Sequence, residues 1–107
     1  MQELLTQEKI GLTDMQQFHI WLDELKQFDQ AIMPNLAYLA GEVGEVINAV
    51  RDMERLGKDE PSETAREHIA EELADCLAYI CKLANYMQID LQKAYAGKME
   101  RNIGRTW

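Results

Sequence analysis

Apolar residues recur at spacings of three and four along most of the chain, which is the period of a helix that buries one face. This pattern predicts four helices, and no stretch carries a strand signal of comparable strength. The predicted helices cover roughly residues 13–28, 34–56, 63–87 and 90–103. The hydrophobic pattern therefore predicts an all-α fold.

Several predicted helix ends carry local signals. Thr13 and Gln16 have the spacing of a capping box at the start of the first helix. Pro34 suits the first turn of the second helix, and Gly57 suits its C-terminal end. Asp90 is a favourable N-cap residue for the fourth helix.

The apolar face of the third predicted helix is wider than one neighbouring helix can cover. Its main stripe is Ile69, Leu73, Leu77, Ile80, Ala84 and Met87, and it is widened by Ala70, Ala74, Ala78 and Leu83. A broad apolar surface on a small domain predicts a buried interface between copies of the chain. We therefore expect one domain over residues 1–107 that assembles into a homo-oligomer.

Composition and charge narrow the class of protein. The chain has 107 residues, 47% hydrophobic and 28% charged, which suits one globular domain. Its net charge of −8 disfavours nucleic-acid binding, because an acidic surface repels phosphate backbones. No apolar run is long enough to span a bilayer, and residues 1–12 lack the order of a signal peptide. These features predict a cytoplasmic protein without membrane or nucleic-acid partners.

Two kinds of metal site are disfavoured by spacing. Cys76 and Cys81 are five residues apart, so they form no CxxC pair and are expected to be free thiols. Together with only two histidines they give no zinc-ligand spacing. Neither His19 nor His68 has a Glu three residues earlier, so the Glu-x-x-His spacing of di-iron bundles is absent.

The most informative residues are two acidic pairs on the long middle helices. Glu42 and Glu45 are three residues apart, and so are Glu72 and Asp75, so each pair presents two carboxylates on one helix face. Both pairs lie among apolar residues and outside the first helical turn, where the helix dipole would favour acidic side chains. Four converging carboxylates would repel one another unless a cation lay among them. Mg²⁺ is the expected cation, with Mn²⁺ as an alternative, because both prefer oxygen ligands.

Two glycines accompany the first acidic pair. Gly41 and Gly44 lie inside the second predicted helix, where each glycine costs about 1 kcal/mol relative to alanine. Close approach of a ligand to the backbone and tight helix–helix packing both explain such glycines, and the sequence leaves the two explanations open.

The ordered set of motifs resembles a known family. Glu42-x-x-Glu45 followed by Glu72-x-x-Asp75 looks like the metal-binding signature of the all-α NTP pyrophosphohydrolases. This superfamily includes MazG-like proteins, dCTP pyrophosphatases, dimeric dUTPases and phosphoribosyl-ATP pyrophosphohydrolases. Residues 35–45 and 71–75 read like its second and third helices. Lys98-x-x-x-Asn102-x-x-Arg105 resembles the basic element that closes many MazG-like domains.

The resemblance implies a four-helix MazG-like bundle completed by homo-oligomerisation, as a homodimer or homotetramer. It implies that Glu42, Glu45, Glu72 and Asp75 bind Mg²⁺. The candidate catalytic residues are Glu45 and Glu42, and we expect Glu45 to act as general base as well as ligand. It also implies that phosphate oxygens are held by Lys98, Asn102 and Arg105. The candidates for contact with the base are Asn35, Trp21 and Phe28, each of which is also a common core or cap residue.

The expected reaction is Mg²⁺-dependent hydrolysis of a nucleoside triphosphate to the monophosphate and pyrophosphate. Deoxynucleoside triphosphates and aberrant nucleotides are the expected substrates, and the sequence does not identify the base. The alternative is a non-catalytic acidic helical module, antitoxin-like or an adaptor, whose carboxylates meet a basic partner. A thermal melt with and without Mg²⁺ distinguishes the two interpretations.

Overall fold

The computed structural model describes residues 1–57 and 61–106. A short 3₁₀ helix, Gln2–Thr6, precedes four α-helices: α1 (Leu12–Lys26), α2 (Ile32–Arg55), α3 (Glu63–Tyr86) and α4 (Leu91–Ile103). No strand occurs in the described ranges, so the predicted all-α class is confirmed. The observed helix bounds lie within two residues of the predicted ones.

The chain forms two compact units. The first comprises Met1–Ala31 and Cys81–Trp107, and the second comprises Ile32–Ile80, so α3 contributes residues to both. Within the first unit, α1 packs against α4 and against the 3₁₀ helix. The prediction of a single domain over residues 1–107 stays a prediction.

The start of α1 differs from the sequence prediction. The helix begins at Leu12 with Gly11 as its N-cap, and the Gly11 N–H donates to the Asp14 carboxylate at 2.9 Å. The predicted capping box of Thr13 and Gln16 is therefore wrong, because both residues already lie inside the helix. A glycine N-cap offers no side-chain oxygen, so the acidic residue three positions later satisfies the open N–H instead.

Gln16 lies inside the first unit, where it joins three helices. It is 8% exposed, and its side-chain amide donates to the Asn85 side chain at 3.0 Å and to the Ile89 carbonyl at 2.8 Å. Its side-chain oxygen accepts the Leu91 N–H at 2.9 Å, and Asn85 donates back to the Gln16 carbonyl at 2.9 Å. These bonds connect α1 to the end of α3 and to the start of α4. Buried polar groups satisfied in this way fix one arrangement of the helices.

The two ends of α4 agree with the sequence prediction. Asp90 is its N-cap, and the Asp90 side chain accepts the Lys93 N–H at 3.1 Å. The helix ends at Ile103.

Both expected cysteines are free thiols: Cys81 is buried on α3 and Cys76 is half-buried. Among the described helices, none is both long and apolar enough to cross a bilayer.

His19 lies half-buried on α1 against the Phe18 ring, with the two ring centroids 5.2 Å apart. Its Nδ1 atom is buried and has no hydrogen-bond partner among the described residues. Burial lowers the pKa of His19 below its usual 6.5, the nearby Asp23 carboxylate opposes this, and the Lys82 ammonium lowers the pKa further. Folding therefore favours the neutral imidazole.

The lowered pKa of His19 predicts a pH-dependent stability. As the pH falls through about 6.5, the unfolded chain takes up a proton at this position that the folded chain resists, so the free energy of unfolding decreases. Above that pH the group has no such effect. Denaturant unfolding at several pH values should show the loss in the natural chain and a weaker loss in His19→Gln. His68→Gln is the matched control, because His68 is exposed on α3; equal pH profiles for both variants would contradict this prediction.

Candidate metal and nucleotide site

Three acidic side chains from two helices converge in the second unit. Glu42 lies on α2, and Glu72 and Asp75 lie one turn apart on α3. One carboxylate oxygen from each residue lies within 4.8 Å of the others. Glu42 and Glu72 are half-buried, and Asp75 is exposed. Acidic residues from both sequence motifs, Glu42 from the first and Glu72 and Asp75 from the second, thus meet in space, which their helical spacing alone could not establish.

The pKa of Glu42 is raised at this position. It is raised first by burial and then by the Asp75 charge, by a hydrogen bond shared with the Glu72 carboxyl and by the charges of Glu72 and Glu45. Like charges held this close favour the protonated form of one member. The three carboxylates, which we call the acidic cluster, therefore form a concentrated negative site that a cation would neutralise.

Glu45, the fourth acidic residue predicted for the site, is outside the acidic cluster. It lies one turn after Glu42 on α2, is exposed, and is close enough for its charge to raise the pKa of Glu42. The structure thus brings three of the four predicted carboxylates together and leaves the fourth beside them.

Two tyrosines and a cysteine beside the acidic cluster were missed by sequence reasoning. The Tyr38 and Tyr79 rings are 5.9 Å apart at their centroids, and burial, the charges of Glu42 and Asp75, and Tyr38 raise the pKa of Tyr79. Burial and the cluster charges also raise the pKa of the Cys76 thiol. Tyr38 precedes Glu42 by four residues and Tyr79 follows Asp75 by four. This spacing places each tyrosine on the same helix face as its carboxylate, so the signal was present in the sequence.

The glycines of α2 stand in open space. A Cβ atom added at Gly41 or Gly44 would meet no atom within 4 Å, apart from the local helix backbone. Packing within the described chain therefore does not account for these two glycines. Both explanations left open by the sequence stay open, since a ligand or a helix of another copy would fit this space.

The predicted phosphate-binding residues belong to the first unit. Lys98 is exposed on α4, and Arg105 is exposed just beyond the end of that helix, where its N–H donates to the Asn102 carbonyl at 3.1 Å. Asn102 is half-buried, its side-chain amide lies 3.8 Å from the Met99 sulfur, and its buried Oδ1 accepts no hydrogen bond from the described residues. Lys98 and Asn102 are one turn apart on α4, as the sequence predicted.

The three candidates for base contact lie in different settings. Trp21 lines a pocket of about 310 Å³ in the first unit with Glu24 and Leu25. Phe28 lines another pocket of about 330 Å³ in the same unit, and the Lys82 ammonium lies 4.7 Å from its ring centroid. Asn35, in the second unit, is 1% exposed and already engaged within the chain.

The donor set of the acidic cluster fits a hard divalent cation. It offers only carboxylate oxygens, and the ligands of one Mg²⁺ ion at about 2.0–2.1 Å from it can lie roughly 3–4 Å apart. The cluster oxygens lie within 4.8 Å of one another, which is close to this spacing. No cysteine or histidine belongs to the cluster among the described residues. Metals that prefer sulfur or nitrogen ligands, such as zinc and copper, are therefore not favoured at this site.

Comparison with known proteins identifies the family of this chain. The family model of the MazG nucleotide pyrophosphohydrolase domain matches residues 30–106. The match includes the acidic cluster, Glu45 and the basic element of α4, whereas α1 precedes it. No curated protein matches the chain. Because the family model covers well over half of the sequence, and its helical fold agrees with the observed one, the chain belongs to the MazG nucleotide pyrophosphohydrolase family.

Proposed function

We propose that this chain hydrolyses a nucleoside triphosphate to the monophosphate and pyrophosphate. A water oxygen forms a bond to the α-phosphorus, and the bond from that phosphorus to the bridging oxygen of the β-phosphate breaks. Family membership supports nucleotide pyrophosphohydrolase activity. The observation that carries the proposal is the acidic cluster, since three carboxylates gathered from two helices repel one another without a cation.

The residues proposed to hold the metal are Glu42, Glu72 and Asp75, with Glu45 as a further ligand. The metal is Mg²⁺, with Mn²⁺ as an alternative, because both take oxygen ligands. When bound, such an ion neutralises phosphate oxygens and lowers the pKa of a coordinated water. Burial is the largest cause of the raised pKa of Glu42, and the charges of Asp75, Glu72 and Glu45 add to it, which shows that negative charge is concentrated at this position.

The chain supplies the proton transfer and the stabilisation of the leaving group. Glu45 is the proposed general base as well as a metal ligand, because it lies one helical turn from Glu42, beside the acidic cluster. Glu42 is the second candidate for a direct part in catalysis. The charges of Lys98 and Arg105 stabilise the departing pyrophosphate, and the Asn102 amide binds a phosphate oxygen.

The proposed substrates are deoxynucleoside triphosphates or aberrant nucleotides. Base contact is assigned to Trp21, Phe28 and Asn35. A cytoplasmic location, predicted from the sequence, would supply both nucleoside triphosphates and Mg²⁺. Removal of aberrant nucleotides and control of deoxynucleotide pools both fit this chemistry.

Product analysis tests the proposed reaction. Purified protein with Mg²⁺ and a panel of canonical and modified nucleoside triphosphates should release pyrophosphate and the monophosphate, with no orthophosphate. In ¹⁸O-labelled water the label should enter the monophosphate, because water attacks the α-phosphorus. Label in pyrophosphate would indicate attack at the β-phosphorus, and release of orthophosphate would indicate a different hydrolase. No turnover, together with no effect of Mg²⁺ on melting, would favour an acidic interaction module.

We further propose that the chain assembles as a homodimer or homotetramer. Large apolar side chains are exposed on the two long helices, including Val43 and Ile47 on α2 and Leu73 and Ile80 on α3. Large apolar side chains exposed along two neighbouring stretches of sequence in this way are expected to be covered by another copy of the chain.

Light scattering at micromolar concentration should show a dimer or tetramer. Ile47→Lys or Leu73→Lys should shift the mass toward the monomer, because a charge would be buried at the interface. Leu56→Lys is the control, since Leu56 is 75% exposed and lies beyond the end of α2. A stable monomer for the natural chain would rule out this assembly.

A further inference from the structure

Two aromatic rings meet between α2 and α3, one helical turn away from the acidic cluster. Tyr38 on α2 and Tyr79 on α3 have their ring centroids 5.9 Å apart. Tyr38 precedes Glu42 by four residues, and Tyr79 follows Asp75 by four. Residues four apart lie one above the other on a helix, so each ring shares a helix face with one carboxylate of the cluster.

The ring pair and the acidic cluster are neighbouring layers of one helix–helix contact. From the rings to the carboxylates, the residue number rises by four on α2 and falls by four on α3. This pattern belongs to two helices that run in opposite directions and whose side chains meet in successive layers. One helical turn separates the layers, so the rings lie about 6 Å along the helix axis from the carboxylates.

Side chains, rather than close backbone packing, hold α2 and α3 at their spacing. In the described part of the chain, their Cα atoms come within 8 Å of each other at isolated positions at most, whereas those of α1 and α4 do so over several residues. The carboxylates of the acidic cluster repel one another and so work against this contact. Two aromatic rings at the observed separation attract each other. The tyrosine pair is therefore a contact able to hold the helices where the carboxylates meet.

Tyr79 lies close enough to the acidic cluster for the cluster's charge to affect it. Burial raises the pKa of Tyr79 most, and the Glu42 charge, Tyr38 and the Asp75 charge raise it further. Tyr79 is half-buried, whereas 53% of Tyr38 is exposed. The pair thus has an inner ring near carboxylates of both helices and an outer ring that packs on it from the side of α2.

We propose that Tyr38 and Tyr79 are positioning residues of the metal site, whose ring contact sets the distance between α2 and α3 at which the carboxylates of the acidic cluster meet. This role rests on the proposed function, in which the acidic cluster holds a divalent cation. Ligands already held at the right spacing bind a cation more tightly than ligands that must first be gathered. Glu42 depends most on this contact, because it is the one member of the acidic cluster on α2.

Mn²⁺ binding without nucleotide tests the positioning role. Electron paramagnetic resonance on the full chain should show about tenfold weaker binding, or more, in Tyr38→Ala and in Tyr79→Ala, the scale of losing a group that supports metal ligands. Tyr38→Phe and Tyr79→Phe keep the rings and should bind Mn²⁺ as the natural chain does. Unchanged affinity in both alanine variants, or equal losses in the alanine and phenylalanine variants, would overturn the proposal.

Two control variants separate positioning from stability. Leu83→Ala removes a side chain of α3 that is 5% exposed, so it should destabilise the fold and leave the Mn²⁺ affinity of the folded chain unchanged. Tyr95→Ala removes an exposed tyrosine of α4 and should also leave it unchanged. Circular dichroism checks that each variant is folded, and Tyr38→Ala carries the test if Tyr79→Ala unfolds. A loss in Leu83→Ala equal to that in the tyrosine variants would assign the effect to stability.

The double variant tests whether the two rings act together. If their contact positions the ligands, Tyr38→Ala combined with Tyr79→Ala should weaken Mn²⁺ binding no more than the stronger single variant does, because either change already removes the contact. Additive losses would show that each ring acts by itself and would overturn the proposed pair.

Turnover at varied Mg²⁺ separates this role from the proposed function. In Tyr38→Ala the Mg²⁺ concentration at half-maximal rate should rise about tenfold, with kcat at saturating Mg²⁺ nearly unchanged. A fall in kcat that Mg²⁺ does not restore would contradict a positioning role. Mn²⁺ binding that depends on both rings, in a chain that cleaves no triphosphate, would overturn the function alone. Release of pyrophosphate with metal affinity independent of the rings would overturn the positioning role alone.

Discussion

Asp75→Asn is expected to lower kcat for pyrophosphate release by roughly 10²- to 10³-fold or more, the scale seen when a charge-stabilising group is removed from an active site. The substitution keeps the size of the side chain and removes one negative charge from the acidic cluster, whose three oxygens lie within 4.8 Å of one another. A carboxamide is a weaker ligand for a hard cation than a carboxylate. Steady-state release of pyrophosphate at saturating Mg²⁺ measures the loss.

The same substitution should not weaken the fold. Without metal, Asp75→Asn relieves repulsion toward Glu42, whose pKa its charge helps to raise, so its melting temperature should equal or exceed that of the natural chain. Glu71→Gln is the matched control, since Glu71 is an exposed neighbour on α3 outside the acidic cluster, and it should retain activity. Full activity in Asp75→Asn, or equal losses in both variants, would remove the acidic cluster from the mechanism.

Lys82→Met should destabilise the fold by about 3–5 kcal/mol, the effect expected when one partner of a buried ion pair is removed. The Lys82 and Asp23 side chains are 11% and 2% exposed, with nitrogen and oxygen 3.3 Å apart. Removal of the ammonium leaves Asp23 as a buried charge that keeps the Tyr86 hydroxyl as its one hydrogen-bond donor among the described residues. It also removes the cation over the Phe28 ring. Denaturant unfolding monitored by circular dichroism gives the change in the free energy of unfolding.

The exposed ion pair of α2 is the matched control for this effect. Arg55 and Asp52 are 4.0 Å apart, and their side chains are 72% and 73% exposed. Exposed pairs contribute about 0–1 kcal/mol, because water and salt screen them, so Arg55→Met should have little effect. Similar losses in Lys82→Met and Arg55→Met would show that burial does not set the strength of the Lys82 pair.

Helical periodicity was enough to predict the fold class and the approximate helix bounds. The apolar spacing gave four helices, and Asp90 marked the start of α4 through the same side-chain bond that is observed. The start of α1 was wrong because Gly11 caps it and Asp14 satisfies the open N–H, whereas Thr13 followed by Gln16 imitates a capping signal. Competing signals within one turn cannot be ranked from sequence alone.

Buried polar residues were the main structural feature that the sequence did not reveal. Gln16, Asp23 and Lys82 have the residue types of a solvated helix face, yet each is less than a tenth exposed. Their burial depends on partners about 60 to 75 positions away, as in the Gln16–Asn85 and Asp23–Tyr86 bonds. Periodicity within one helix carries no information about such partners.

The acidic cluster could be predicted in part. Spacing of three residues placed each acidic pair on one helix face, and three of the four side chains meet across two helices. Glu45 remains outside although its spacing from Glu42 equals that of Glu72 from Asp75, so spacing within one helix does not decide which carboxylates meet. Tyr38 and Tyr79 carried a spacing of four from acidic cluster residues and were overlooked, since aromatic residues on long helices usually mark a core.

Direct metal binding tests the central claim that carboxylates from α2 and α3 hold a divalent cation. Mn²⁺ added to metal-free protein and followed by electron paramagnetic resonance should bind saturably, and Mg²⁺ should displace it. Glu42→Gln and Asp75→Asn should each lose most of this binding, while Glu71→Gln should retain it. Unchanged Mn²⁺ affinity in both cluster variants would contradict the account, because the cation would then be held by other residues.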